Sequence, residues 1–517
     1  IGSRPGITLY DQNPVFFSAP PDFGNCAGKP HTAYHAYIGQ GNHVGFLRLD
    51  GFAPDSFYVL YADRLSVNYA YAFLDGLTNK DSIGRQIMLP LKELKEVTIE
   101  SMEGCILEPE LTRVTDYEQV IDEVLIGNTV VLADGVAGGI SAAAKAFDKR
   151  PVAEPPTATV LQGPREGFVE TVQTNISLLR RKLRSKDLKF EQYKVGKYSD
   201  TLVVVCYVDG VVKKGLKEQI VRRIKQIDID AVLDSSYVAR FLAEHNTSLF
   251  KQFGMTEKPD ILAARILEGR VGVIVDGSPM VLTAPYILLE DFQSPEDYYV
   301  SRYRASIGRG IRLISILISL LAPAFFVAAQ LYHLQVIPLT FLLTIVNSIK
   351  GIPFSPSSEM FFTLLIFEIL NEASVRMPKY VGMVVSIVGG LVLGETAVTA
   401  GIISAPTLMI IALSGICLYT VPALEREFSV IRVLLLIVAG ALGGYALILS
   451  VCALLVYLCA FESFGTPLLA PYAPLVLPDL KDGFIKGNMS DKAYRPLIFG
   501  SPNKIRMRLK KEKKNVQ

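Results

Sequence analysis

The chain changes character near residue 300: before it, apolar residues come in short runs broken by Gly, Pro and charge, and after it in long stretches with few charges. Residues 1 to about 55 hold no sustained period of 3.6 or 2 and predict no element. From Ser66 a strand, turn and helix pattern occurs twice. Tyr71 to Leu74 precede Asp75-Gly76 and a helical pattern through Ile87, Leu91 and Leu94. Val203 to Val208 precede Asp209-Gly210 and the spacing Leu216, Ile220, Ile224, Ile227. Each copy then returns through a helix and a Gly turn to a β-branched strand. These strands are Val130 to Ala133 before Asp134-Gly135, and Val271 to Val275 before Asp276-Gly277. The Asp-Gly pairs lie 134 and 142 residues apart, which predicts two related subdomains. The dipeptides read as turns, because Gly tolerates positive φ and Asp bonds its own backbone.

Between the copies, Arg150 to Pro156 reads as a Pro-rich linker, followed by a helical pattern from Phe168 to Leu183. That helix ends in the basic run Arg180-Arg181-Lys182, either a solvated face or a contact to anionic lipid or a neighbouring subunit.

After Arg304, Arg309 and Arg312 the sequence is continuously apolar from Leu313 to Ala329, long enough with its flanks to cross a bilayer core of ~30 Å. Further runs are Val336–Val346, Met360–Leu370, Val381–Leu393, Thr407–Val421 and Val433–Phe461. The first two are too short to span alone and read as short helices or a re-entrant pair. The last predicts either one tilted or kinked helix or a tight hairpin. Basic residues flank both ends of this region, so both face the cytoplasm and the crossings are even in number. The expected architecture is an α/β soluble N-terminal region of two related subdomains plus an all-α polytopic membrane domain of four to six transmembrane helices. Its boundaries are 1–65 unassigned, 66–149 and 184–300 the subdomains, 150–183 linker and basic helix, 301–465 transmembrane, and 466–517 a cytoplasmic basic tail.

Charges inside apolar stretches carry the chemistry. Glu368, Glu372 and Arg376 are four apart and share a helical stripe, while Glu359 and Glu395 border neighbouring runs. Exposure to lipid costs ~2.5–3.5 kcal/mol per charge, so these groups face the bundle interior, a subunit contact or water. Glu372 and Arg376 either neutralise each other at a helix end or belong to an ion path. Gly390 with Gly394, and Gly440 with Gly444, fit GxxxG and read first as close helix packing.

Net charge is +2, too little to imply nucleic acid. The six cysteines form no CxxC, so neither a zinc site nor a secreted disulfide framework is expected. No basic-then-apolar leader opens the sequence, so no signal peptide is expected. There is no Trp, leaving Tyr and Phe for any interfacial belt. HExxH, GxSxG and Walker A patterns are absent, and Gly39 to Gly45 misses the dinucleotide fingerprint, so neither an enzyme nor a cofactor is expected.

The run Gly163, Pro164, Arg165, Glu166, Gly167, Phe168, Val169, Glu170, then Asn175, Leu179, Arg180 and Arg181, resembles the signature of the GerA family, the A subunits of spore germinant receptors. Gly351-Ile352-Pro353-Phe354, Phe367-Glu368, Glu372-Ala373, Val375 to Pro378 and Ser386 to Gly394 resemble it too, in the right order. Asn371 departs from the family pattern, which usually has Arg there. The resemblance implies a multi-pass protein of the inner spore membrane, with its ends on the core side. It also implies an oligomer working with a transporter-like B subunit and a lipoprotein C subunit, and opening an ion path when a nutrient germinant binds. It names no pore residue; that choice rests on the intramembrane charges. A non-receptor relative modulating germination fits equally well. A secondary transporter also fits the broken helices and buried carboxylates, although the membrane half shows no inverted repeat.

Overall fold

The computed structural model describes residues 57–62, 69–74, 77–94, 96–133, 135–144, 162–245, 248–377, 394–488 and 492–507. Outside them lie the Gly39 to Gly45 run, Asp75-Gly76, Asp134, the Pro-rich linker, Val381–Leu393 with Gly390, and the last basic residues.

Two five-stranded sheets carry the N-terminal half. The first contains β1 (Phe57–Ala62), β2 (Tyr69–Leu74), β3 (Leu111–Val114), β4 (Thr129–Ala133) and β5 (Gly139–Ala142) in the order β1-β2-β4-β5-β3. The second contains β6 (Leu188–Val195), β7 (Thr201–Val208), β8 (Gly254–Thr256), β9 (Val271–Val275) and β10 (Val281–Ala284) in the order β6-β7-β9-β10-β8. The order is the same position by position, and every pairing is antiparallel. β1 begins at Phe57, inside the stretch that periodicity left unassigned.

The helices of the first unit are α1 (80–92), α2 (Ile99–Cys105) and α3 (Tyr117–Ile126). Those of the second are α4 (Val172–Lys182), α5 (Leu216–Lys225), α6 (Ser235–Leu242) and α7 (Pro259–Leu267). On β7, Val204 and Cys206 pack with α4 and α7, while Val203 and Val205 pack with α5 and α6. With both faces covered, the strand needs apolar residues throughout, which is why it reads as an unbroken run. The linker boundary drawn at 150–183 is corrected here: Val172, Ile176 and Leu179 of α4 belong to the second sheet's core. Asp276 Oδ1 accepts from the Val172 amide at 3.0 Å, capping α4 from 104 residues away. The turn glycines Gly127, Gly135, Gly210, Gly269 and Gly277 all have positive φ.

The C-terminal half is helical: α8 (Arg302–Tyr332), α9 (Leu339–Ile349), α10 (Pro356–Arg376), α11 (Ala405–Leu418) and α12 (Glu425–Ala460). Among the described residues two helices, Arg302–Tyr332 and Pro422–Ala460, are long and apolar enough to cross a membrane. The second is a hairpin. Phe428 and Tyr457 both lie against Phe250, with ring centroids 6.3 and 6.2 Å away, whereas 29 residues of straight helix span about 43 Å. The reversal is at Gly443, with φ 76° and ψ −167°. Its tip meets the end of α8, where Tyr332 Oη donates toward the carbonyls of Gly440 (3.1 Å) and Ala441 (3.0 Å). The start of α8 and the end of α12 therefore both lie on the side of the second α/β unit.

Two expectations change at that junction. Arg309 and Arg312 are no free basic flank: Arg309 is wholly buried, its Nε 3.1 Å from Asp297 and its Nη1 3.1 Å from Asp482, and Arg312 makes two further bonds to Asp297. Nor are residues 466–507 a free tail. The Leu288 amide donates to the Leu468 carbonyl, Ser501 Oγ to Val211 O, and Arg495 Nε to Leu267 O. Buried Ala470 and Phe499 pack on Ile287 and Leu289. A few apolar anchors within a basic stretch suffice to dock it.

Candidate functional site

Glu359 lies in the first turn of α10 and is 2% exposed. Its Oε1 accepts both the amide and the hydroxyl of Ser404 at 2.7 Å, and Ser404 is the N-cap of α11. The carboxylate thus faces the positive ends of two helices, which compensate a buried negative charge without a cation. Its Oε2 has no hydrogen-bond partner among the described residues.

Glu368, nine residues on, meets a partner that the apolar pattern hid. Arg432 of α12 is 1% exposed, pairs with Glu368 Oε1 and donates to Ser414 Oγ at 2.9 Å. Ser414 Oγ in turn donates to the Ser319 carbonyl of α8 at 2.8 Å, and Ser429 Oγ to Glu368 at 2.7 Å. One polar chain therefore ties α8, α10, α11 and α12. Arg432 immediately precedes the Val433 run and is not singled out in the sequence; its place six residues after Arg426, against the apolar run, is the available signal.

Glu372 and Arg376 pair with each other at 2.8 Å through Arg376 Nε, with side chains 66% and 77% exposed. Asn371 donates to Glu425 at 2.8 Å. Glu395 is exposed, in a helical stretch described at 394–399. The stripe of three thus divides into a partly buried Glu368, held by the buried Arg432, and an outward Glu372–Arg376 pair. Close packing engages Gly440, where a Cβ would strike Ser357 of α10, and Gly444, where it would come within 2.9 Å of His333. A Cβ on Gly394 would meet Leu408 at 3.3 Å.

The motif of the α/β region clasps α4 to the second sheet. Gly163 has φ 123° and lies against the Tyr299 ring, Pro164 is half-buried, Arg165 exposed, and Gly167 buried. Phe168 is buried and its amide donates to Glu257 O, while the Glu170 carbonyl accepts from Gly277. Buried Asn175 accepts from the Val169 amide (2.8 Å) and donates to its carbonyl (2.6 Å). The basic run is not a solvated face. Arg180 is buried over the Phe190 ring, and burial pulls its guanidinium down to about 10. Arg181 and Lys182 both pair with Glu166.

A sequence profile for the Bacillus/Clostridium GerA spore germination protein matches residues 57–498. The chain belongs to the GerA family. This confirms the resemblance carried by the motifs around Pro164 and Glu368. Among GerA-family relatives, spore germination protein KA of Bacillus subtilis (strain 168) is 34% identical over 85% of this chain and 82% of its own length. Spore germination protein GerLA of Bacillus cereus is 33% identical over 83% and 88%. The uncharacterized membrane protein YfkQ of B. subtilis (strain 168) is 32% identical over 83% and 85%. The crystallised N-terminal domain of the A subunit of the Bacillus megaterium spore germinant receptor GerK3 aligns at 23% identity and TM-score 0.36, covering 45% of this chain and 89% of that one.

Proposed function

We propose that this chain is the A-type subunit of a spore germinant receptor: a polytopic protein of the inner spore membrane that oligomerises, works with B and C subunits, and opens an ion path in response to nutrients. It has no catalytic role in this reading. Family membership and relatives named for germination support the role in germination. The soluble region and residues 466–507 lie together at one end of the helices, which supports an even number of crossings with both on the core side.

The observation that carries the ion path is the outward face of α10. Phe362, Leu365, Ile366 and Ile369 are exposed along it, and it ends in the exposed Glu372–Arg376 pair. Apolar exposure suits lipid or a second copy, but exposed charge in an apolar layer costs ~2.5–3.5 kcal/mol per group against hydrocarbon. That pair, with Glu395, suits a watered seam between copies. Glu368 serves the path from behind, held by Arg432.

The test is monovalent-cation release from spores lacking the gene and complemented with Glu372→Gln, Arg376→Gln or the wild type, challenged with amino acids, sugars and nucleosides. Altered rate or selectivity in the variants is expected; unchanged release with normal assembly would remove these residues from the path. The match to YfkQ supports a second reading, a membrane relative outside the receptors. In that case deletion leaves every nutrient response intact.

A further inference from the structure

We propose that the cleft between α6 and the segment 248–255 binds the headgroup of an anionic phospholipid in the leaflet facing the soluble domain; this rests on the membrane reading above. The cleft holds about 640 Å³ and is lined by Arg240, Phe241, His245, Phe250, Lys251 and Phe253 among others. Its position sets the ligand class. Phe250 packs on Phe428 and Tyr457, at the two ends of the α12 hairpin, and Ser248 Oγ lies 3.2 Å from Tyr457 Oη. The cleft therefore opens where the apolar helices emerge, at the depth where headgroups meet an aromatic belt.

Charge sets the sign. Arg240 is exposed and makes no ion pair among the described residues. The lining holds Arg240 and Lys251 and no carboxylate; of the acids outside it, Asp291 pairs with Lys251 at 2.7 Å and Glu244 with Arg223 at 2.9 Å, while Glu427 lies within electrostatic reach of Lys251. The lining itself is therefore positive, and His245 on it sits beside the Phe461 ring. Exposed Phe241 and Leu249 on the rim give acyl chains an apolar landing beside the cation.

The experiment takes the full chain, reconstituted with equal phosphatidylglycerol and phosphatidylcholine, through mild detergent and counts retained lipid by native mass spectrometry. Wild type should retain phosphatidylglycerol preferentially, and Arg240→Ala should retain about fivefold less. Arg113→Ala, a basic residue on the first sheet, should match wild type. Equal retention of both lipids by wild type, or no change in Arg240→Ala, overturns the proposal. So does displacement by millimolar inorganic phosphate, which would assign the cleft to a soluble phosphate compound. A chain that dissolves without detergent would instead overturn the membrane reading beneath it.

Discussion

The guanidinium of Arg432 is buried against the carboxylate of Glu368, joining the first arm of the α12 hairpin to α10. Removing one partner strands the other in an apolar layer. Arg432→Leu is expected to cost about 3–5 kcal/mol, whereas Arg432→Leu with Glu368→Leu recovers most of it. Thermal unfolding in nanodiscs checks this. Equal losses in the single and double variants would mean that the two charges are not coupled.

Glu359 holds α10 to α11 through Ser404. Glu359→Ala leaves the Ser404 amide buried without its acceptor, at about 1–3 kcal/mol, while the Ser404 hydroxyl keeps Thr407 Oγ1. Because two helix ends already compensate this carboxylate, ion selectivity should not move when Glu359→Gln is substituted. A changed selectivity in that variant would put Glu359 in the path after all.

The hairpin makes a geometric prediction. Cysteines at Phe250 and Phe428 should be bridged by a short bifunctional thiol reagent, and so should cysteines at Phe250 and Tyr457, because both rings lie about 6 Å from the Phe250 ring. A straight α12 would allow only one. Gly443→Val should destabilise the turn, since φ is 76° and a Cβ would sit 2.9 Å from the Tyr332 ring.

Asn175 spends both ends of its amide on Val169 while fully buried. Asn175→Ala should lose about 1–3 kcal/mol and free the start of α4. Amide exchange at 169–176 measures it; unchanged protection would show that the clasp is dispensable.

Burial raises the Asp291 carboxyl above its ordinary value of 3.8, with Lys251 opposing. An acid with a raised folded pKa contributes stability that is fully present below 3.8 and lost as pH climbs through the folded value. Local protection around 286–292 should therefore strengthen as neutral buffer is acidified, and Asp291→Asn should flatten the trend. The opposite slope in wild type would show that the ion pair to Lys251 outweighs desolvation.

Much of this architecture is local, and the sequence alone determined it. Helical period marked α1 and α5, β-branched runs marked β7 and β9, and Asp-Gly turns at similar offsets announced two units whose sheets share one strand order. Apolar length marked α8, and the ordered motifs marked the GerA family. Those features depend on near neighbours or on composition, so they survive in one dimension. What only the tertiary structure decided are pairings across long separations: Arg432 with Glu368, Glu359 with Ser404, Asp276 with α4, and Asp482 with Arg309. A buried charge does not name its partner by spacing, because partner choice follows from which helices pack and at what height. The same reason left the hairpin as one of two alternatives in the sequence, since an unbroken apolar run looks identical whether Gly443 continues the helix or reverses it.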